Sequence, residues 1–382
     1  MEYTKLKNLN RYISESVNPM KTPDTIYEVY SVPIYESGHP EYLRGDEIGS
    51  SKVKVQKNDI LLCKINPRIN RVWVVADESD CPNIASSEWI VIRNPAYNPS
   101  FLAWYFKSLK FKQLMVSEVT GIGGSLTRAQ PKAVAEYPVP ILPIKEQNEI
   151  ASTLDKADHI IALRKQQLSA LDDLIKSRFV EMFGDIIQND KGWPQYIFSD
   201  IATSRLGKML DAKQQTGKNR YPYLANYNVQ WFRFELESLN EMDFDESDRV
   251  EFELKDGDLL VCEGGEIGRC AVWHNEVQPC FFQKALHRVR CNTNIVLPEY
   301  LARWFQFNCD HNGFSAIEGA KATIAHLPGA KLKALHVVVP PIDLQQEFIS
   351  YIRQIEKSKS VIQKSLDETQ LLFDSLMQEY FG

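Results

Sequence analysis

No stretch of eighteen apolar residues occurs in the 382-residue chain, so no segment is suited to crossing a bilayer. The first residues, MEYTKLKNLNRYISES, hold no apolar core of the kind a cleaved secretory signal needs. No CxxC occurs among the seven cysteines, Cys63, Cys81, Cys262, Cys270, Cys280, Cys291 and Cys309. An odd number without paired spacing suits a reducing cytoplasm. Cys262, Cys270, His274 and Cys280 lie close in sequence, but their spacing matches no standard zinc site. They read as strand residues, and no metal is expected. A P-loop, an HExxH and a GxSxG are all absent, which excludes the usual routes to ATP-driven work, zinc proteolysis and serine hydrolysis. Positive charge is also short: the formal net charge is −6, so the chain cannot hold DNA by global attraction. Local basic faces remain open to it. What is present is an ordinary globular composition, 44% hydrophobic and 25% charged, over a length that allows two or three domains.

One tempting motif is NPAY (94–97). It approaches a methyltransferase signature in which an amide and a stacked tyrosine hold an extruded adenine. Alanine stands where the second proline should be, and no glycine-rich strand-to-helix loop precedes it. The stretch reads as a turn ahead of a helix starting at Pro99. GIGG (121–124) follows a helix and GGEIG (264–268) lacks a βαβ frame, so neither reads as a cofactor cradle. His159 reads as a flank residue of a helix rather than a catalyst.

The strongest signal is internal. Shifted by 198 residues, VPILPIKEQNEIA (139–151) falls on VVVPPIDLQQEFI (337–349). Pro143 meets Pro341, Ile144 meets Ile342, Gln147 meets Gln345 and Glu149 meets Glu347. Phe183-Gly184 then meets Phe381-Gly382 without a gap. Upstream, DILLCK (59–64) resembles DLLVCE (258–263), and PSFLAWYF (99–106) resembles PEYLARWF (298–305). A globular stretch followed by a long helix is therefore written twice. Two copies are too few for a solenoid.

Each helical stretch carries an apolar seam at alternating four- and three-residue steps. In the first copy it runs Ile150, Leu154, Ala157, Ile161, Arg164, Leu168, Leu171, Ile175, Arg178 and Met182. In the second it runs Phe348, Ile352, Ile355, Lys359, Ile362, Leu366, Thr369, Phe373, Leu376 and Tyr380. A 3.5-residue period held this long marks a coiled-coil seam, and the other copy is the obvious partner. Proline opens each helix and glycine closes it. At 1.5 Å per residue each helix of about 38 residues is roughly 57 Å long. The short connection near Trp193 and the return at Pro341 require the two helices to run antiparallel. The expected architecture is α+β: residues 1–142 and 186–340 as two tandem modules, residues 143–185 and 341–382 as the long helices, related by an approximate two-fold axis.

Both modules mix strand patterns, VWVVA (72–76), WIVI (89–92), DLLVC (258–262) and HVVV (336–339), with helices starting at Pro99 and Pro298. Basic residues concentrate there, beside amides. KINPRINR (64–71) supplies Lys64, Asn66, Arg68, Asn70 and Arg71. The stretch 208–228 supplies Lys208, Lys213, Asn226 and Asn228, and Arg269 follows a later strand. GGSLTRAQ (123–130), with Arg128, and GAKATIAH (319–326), with Lys321, occupy equivalent places. Arginine and lysine suit phosphates and guanine edges, and side-chain amides suit adenine. These residues are the candidate DNA contacts.

Tandem variable modules, each followed by a Pro-Ile-x-x-Gln-x-Glu helix ending in Phe-Gly, resemble the specificity subunit of type I restriction–modification systems. LPIKEQNEIASTLDKAD, DLLVCEGGEIGRCAVW and GKMLDAKQQTGKNRYPYLANYNVQW are especially similar to that family. The resemblance implies two target recognition domains, each reading one half of a split double-stranded DNA target. The helices would set the spacer between halves and dock two modification subunits, with restriction subunits joining later. S-adenosylmethionine, ATP and magnesium would be bound by those partners, this chain having no catalytic residues and no cofactor of its own. A rod of about 57 Å exceeds one B-DNA turn of about 34–36 Å, as two separated half-sites require. The alternative is a protein-assembly scaffold whose modules bind proteins rather than DNA.

Overall fold

The computed structural model describes residues 2–76, 78–117, 119–120, 127–211, 215–314 and 326–382. The chain divides into two compact units, residues 1–167 with 362–382, and residues 168–361. Each unit holds one module together with part of both long helices.

In the first unit, strands Ser16–Val17, Lys52–Lys54, Asn83–Ser86, Ile26–Tyr30 and Glu41–Arg44 form a five-stranded sheet in that order. The pair Ile26–Tyr30 with Asn83–Ser86 is parallel and the rest are antiparallel. Strands Val72–Val74, Ile60–Cys63 and Trp89–Ile92 form a second, antiparallel sheet. The apolar run Ile60–Cys63 is buried throughout, as a central strand covered on both sides should be. Helix Pro99–Lys107 starts with the Asn98 side chain accepting from the Phe101 N–H at 2.9 Å. One helix over 99–115 is the expectation from sequence; two are found, Pro99–Lys107 and Leu109–Ser117. Ser108 turns extended between them, and its Oγ accepts the Phe111 N–H at 3.3 Å. A serine competes with the helix for backbone donors in this way.

In the second unit, strands Ala202–Leu206, Leu286–Cys291, Leu259–Cys262 and Cys270–Val272 make a four-stranded antiparallel sheet. Asn240–Asp243, Arg220–Leu224 and Phe281–Phe282 make a three-stranded one. Helix Pro298–Asp310 matches Pro99–Lys107 of the first copy. In each module the first strand pairs with the last: Glu2–Lys5 with Pro138–Ile141, and Gln195–Ile197 with His336–Val338.

The repeat extends to buried polar groups. Asp59 is fully buried and takes Arg93 bidentately at 2.7 and 2.6 Å. Asp258 takes Arg290 at 2.6 and 3.0 Å. Each carboxylate also accepts a backbone N–H of its own turn, from Gln56 or Lys255. A buried charge is tolerable only when paired and hydrogen-bonded this fully. Gln147 and Gln345, the shared glutamines of the helix-opening motif, are both buried. Gln147 accepts the Asn98 N–H at 2.9 Å and donates to the Leu142 carbonyl at 2.8 Å. Gln345 accepts the Leu297 N–H at 2.9 Å and donates to the Pro340 carbonyl at 2.8 Å. The motif therefore fastens each long helix to the helix of its own module.

The long helices span Ile144–Phe183 and Ile342–Phe381, forty residues each. Every seam residue named from the sequence is buried or half-buried. In the first unit Ile150 and Leu154, early in one helix, share a core with Phe373, Leu376, Met377, Tyr380 and Phe381, late in the other. In the second unit Ile175, Phe179 and Phe183, late in the first helix, share a core with Phe348, Ile352 and Ile355, early in the second. Arg178 pairs with Glu347 at 3.0 Å and Lys359 with Asp172 at 2.8 Å there. Within each unit the helices thus run antiparallel. The first long helix stops at Gly184, whose φ of +74° is left-handed and whose missing Cβ would collide with the Asp190 carboxylate.

Candidate nucleic-acid interface

In the first unit, strand Ile60–Cys63 leads into the loop 64–71, which returns as Val72–Val74. Asn66 and Asn70 turn the loop with φ of 48° and 54°, a region where asparagine is favoured among non-glycine residues. Strand Arg128–Ala129 lies along the loop: the Ala129 N–H donates to the Lys64 carbonyl, and the Asn66 N–H to Thr127, both at 2.9 Å. This brings Lys64 and Arg128 to one place. Glu88, in the turn between two strands, holds both, Arg128 at 3.1 Å and Lys64 at 3.9 Å. Lys64 also donates to the Ser87 carbonyl at 2.7 Å. Arg68 and Ile69 form the exposed tip. Asn70 is used internally, donating to the Phe106 carbonyl at 3.0 Å, which ties the loop to the helix beneath. Arg71 sits at the loop's base beside the Cys63 thiol; burial raises that thiol's pKa, and Arg71 opposes the rise.

The second unit repeats the frame with different chemistry. Strand Leu259–Cys262 leads into a loop turned by Gly265 and Gly268, with φ of 81° and 77°. The Leu327 N–H donates to the Glu263 carbonyl at 2.7 Å, and Gly264 bridges to His326. Arg269 is the positional equivalent of Arg71: the Cys262 N–H donates to its carbonyl as that of Cys63 does to Arg71. Burial pushes the Cys262 thiol up to about 11, against the pull of Arg269. Arg269 donates to the Asn226 carbonyl and to its Oδ1 at 3.1 and 3.0 Å, and Asn226 donates to the Gly264 carbonyl at 2.9 Å. Glu266 on the loop accepts the Trp231 indole N–H at 2.7 Å. Where the first unit has Lys64 and Arg128, the second has Glu263 and His326.

Not every sequence candidate faces outward. Asn228 is buried; its Oδ1 accepts the Ala225 N–H and its Nδ2 donates to the Glu235 carbonyl. Lys208 is mostly buried, bonding the Asp243 carbonyl at 2.7 Å and pairing with the Asp248 carboxylate. Lys213 and Lys321 lie outside the described residues. Glu88, Glu263, Glu266 and Trp231 complete the two loop sites, and a reading confined to basic and amide residues misses them. The NPAY stretch is a turn: Asn94 donates to the Leu9 carbonyl, and its Oδ1 accepts the Ala96 N–H. Among the described residues, no group of three or more His, Cys, Asp or Glu is placed to hold a metal ion, and no helix is long and apolar enough to cross a membrane.

The arrangement has clear relatives. The type I restriction enzyme EcoKI specificity subunit of Escherichia coli (strain K12) is 22% identical over 295 residues. That match takes in 73% of this chain and 63% of the EcoKI subunit's length. A chain from a structural study of complex assembly and conformational transition of the type I R-M system superposes over all of this chain and 97% of its own. The TM-score is 0.58 at 16% identity. The S subunit of a type I restriction-modification system from M. genitalium gives 0.57 at 13% identity, over all of this chain and 96% of its own. Residues 6–172 and 190–369 each match the type I restriction modification DNA specificity domain, one match per copy, and the chain belongs to that family.

Proposed function

We propose that this chain is the DNA-reading subunit of a type I restriction–modification complex, each module reading one half of a two-part target. The observation that carries the reading is the family match running separately through both copies. The duplicated loop sites support it. Lys64, Arg68, Arg71 and Arg128 in the first unit suit phosphates and guanine edges. In the second, Arg269 with Asn226, and the carboxylates of Glu263 and Glu266, suit other base edges, cytosine amino groups among them. The two half-sites therefore differ.

The chain supplies the address and its partners the chemistry. Two modification subunits would bring S-adenosylmethionine and methylate adenine; restriction subunits would bring ATP and magnesium. The exposed surface of the long helices supports a doubled partner. Leu163 and Leu372 are exposed in the first unit, and Val361 and Leu174 at the equivalent positions in the second. Apolar side chains left outward at repeat-equivalent places suit two copies of one protein. Such a complex works in the cytoplasm beside the chromosome. Because the chain is acidic overall, its specific grip on DNA depends on those partners enclosing the duplex.

The test is binding to duplexes carrying a split target, with and without modification subunits. Sequence-specific binding by the assembled complex is expected, and weak binding by the chain alone. Assembly without any DNA preference would favour a protein scaffold instead. Methyl transfer by the isolated chain would contradict the division of labour.

A further inference from the structure

One backbone frame carries different charges in the two units. In the first, the Lys64 N–H donates to the Glu88 carbonyl at 3.1 Å, and the Ala129 N–H to the Lys64 carbonyl at 2.9 Å. In the second, the Glu263 N–H donates to the Ala285 carbonyl at 3.0 Å, and the Leu327 N–H to the Glu263 carbonyl at 2.7 Å. Lys64, Glu88 and Arg128 therefore correspond to Glu263, Ala285 and His326. The second unit builds the same frame with alanine at the middle place, so the frame itself needs no carboxylate there. The pairing around Glu88 is also loose. The structural carboxylate Asp59 takes both arms of Arg93 at 2.7 and 2.6 Å and a backbone N–H besides. Glu88 takes Arg128 on its Oε1 at 3.1 Å, while Lys64 stays 3.9 Å from its Oε2. That Oε2 is closed to solvent and has no hydrogen bond. The Arg128 side chain is 54% exposed and that of Glu88 25%, so the cation has room to swing outward while the acid stays beneath.

We propose that Glu88 is a specificity-determining residue, which competes with DNA phosphate for Lys64 and Arg128. This role presupposes the DNA-reading function proposed above. Both cations are engaged in the free chain, so a phosphate reaches them only by displacing a carboxylate. A duplex of arbitrary sequence offers phosphates alone, and the exchange gains it little. A target also presents matching base edges to the loop, whose exposed tip carries Arg68, and those contacts offset the lost ion pairs. Specificity is a difference of affinities, and a built-in penalty on the wrong duplex widens it. Glu88 also holds the two cations side by side, so they meet a target already placed. The second unit has no carboxylate at this position, so the restraint acts on one half-site.

The test is Glu88→Gln, made in the full chain and in the assembled complex. Glu36→Gln is the control, an exposed acid of the same unit with no ion pair among the described residues. Glu88→Gln should melt with the parent, since alanine serves in the second unit. On a duplex of scrambled sequence it should bind about tenfold tighter than the control and steepen the salt dependence by about one phosphate contact. On a duplex carrying the methylated motif of the host the gain should be absent, so preference for target falls about tenfold. That loss should be confined to mismatches in one half, and Glu88→Asp should keep the parent's preference. Scrambled-duplex binding no tighter than the control's would overturn the proposal. So would lost discrimination at a single base pair with scrambled-duplex binding unchanged, which would make Glu88 itself a base reader. A parent complex without target preference would contradict the DNA-reading function, and scrambled-duplex binding would still decide whether Glu88 competes with phosphate.

Discussion

The ring of Phe381 lies 5.6 Å from that of Phe101, and the ring of Phe183 lies 5.1 Å from that of Tyr300, the repeat counterpart of Phe101. Each Phe-Gly end is a plug. It seats the end of one copy's long helix in the core of the other copy's module. That is why the chain spells the same two residues twice, 198 apart. Truncating Phe381 to alanine empties a buried ring site and should cost about 3–5 kcal/mol. Denaturant titration should show a lower midpoint for the first unit's transition. A loss below about 1 kcal/mol would mean that the site collapses without cost and that the plug matters little.

The buried pairs Asp59–Arg93 and Asp258–Arg290 make a second prediction. Replacing Arg93 by methionine leaves the Asp59 carboxylate buried with its backbone donor alone. Removing one partner of a buried pair costs about 3–5 kcal/mol, and Arg93's partial exposure places this case near the lower end. Replacing both residues by apolar ones of similar volume should recover much of the loss. A single variant as stable as the parent would show that the pair is not holding the strand ends together.

His287 supplies a pH dependence. It is buried in the second unit, its Nε2 is 2.9 Å from the Leu327 carbonyl, and burial lowers its pKa below the usual 6.5. The fold therefore favours the neutral ring. Its contribution is fully present above the unfolded-state pKa near 6.5, and is lost as pH falls through the lower folded value. Stability measured from pH 7 downward should fall more steeply in the parent than in a His287→Asn variant. Parallel curves would show that this ring does not drive the acid sensitivity.

How much of this is written in the sequence depends on the range of the interaction. The seam is legible because period 3.5 is a local pattern, and Leu154 and Phe373 share one core as it requires. The shared Gln147 and Gln345 are visible as a motif, but their role is not, because their partners lie about fifty residues upstream. The helix break at Ser108 is hidden because its flanks are apolar and helical in composition. The loop sites are half legible. Lys64 and Arg128 stand out by their charge, but Glu88, which holds them together, joins them only through the sheet. Asn228 and Lys208 carry suitable chemistry, yet the module consumes it internally, which composition cannot reveal.

Charge removal at the first loop should act on one half-site. Lys64→Ala and Arg128→Ala, each made in the assembled complex, should weaken binding and lower the salt slope by about one for each phosphate left without its cation. The half-site read by the second unit should be unaffected. Loss of discrimination in both halves would point to misassembly instead.

The long helices should act as a ruler. Inserting four residues midway in both adds about 6 Å to each. The preferred spacer should lengthen while both half-sites stay the same. A changed half-site with an unchanged spacer would contradict the ruler.

The assignment of one reader to each module is open to a map of methylated adenines. A host carrying this chain is compared with a host in which residues 186–340 are replaced by a module from another family member. The expected result is a split motif in which one half changes while the other half and the spacer persist. A motif altered in both halves, or left unchanged, would contradict that assignment.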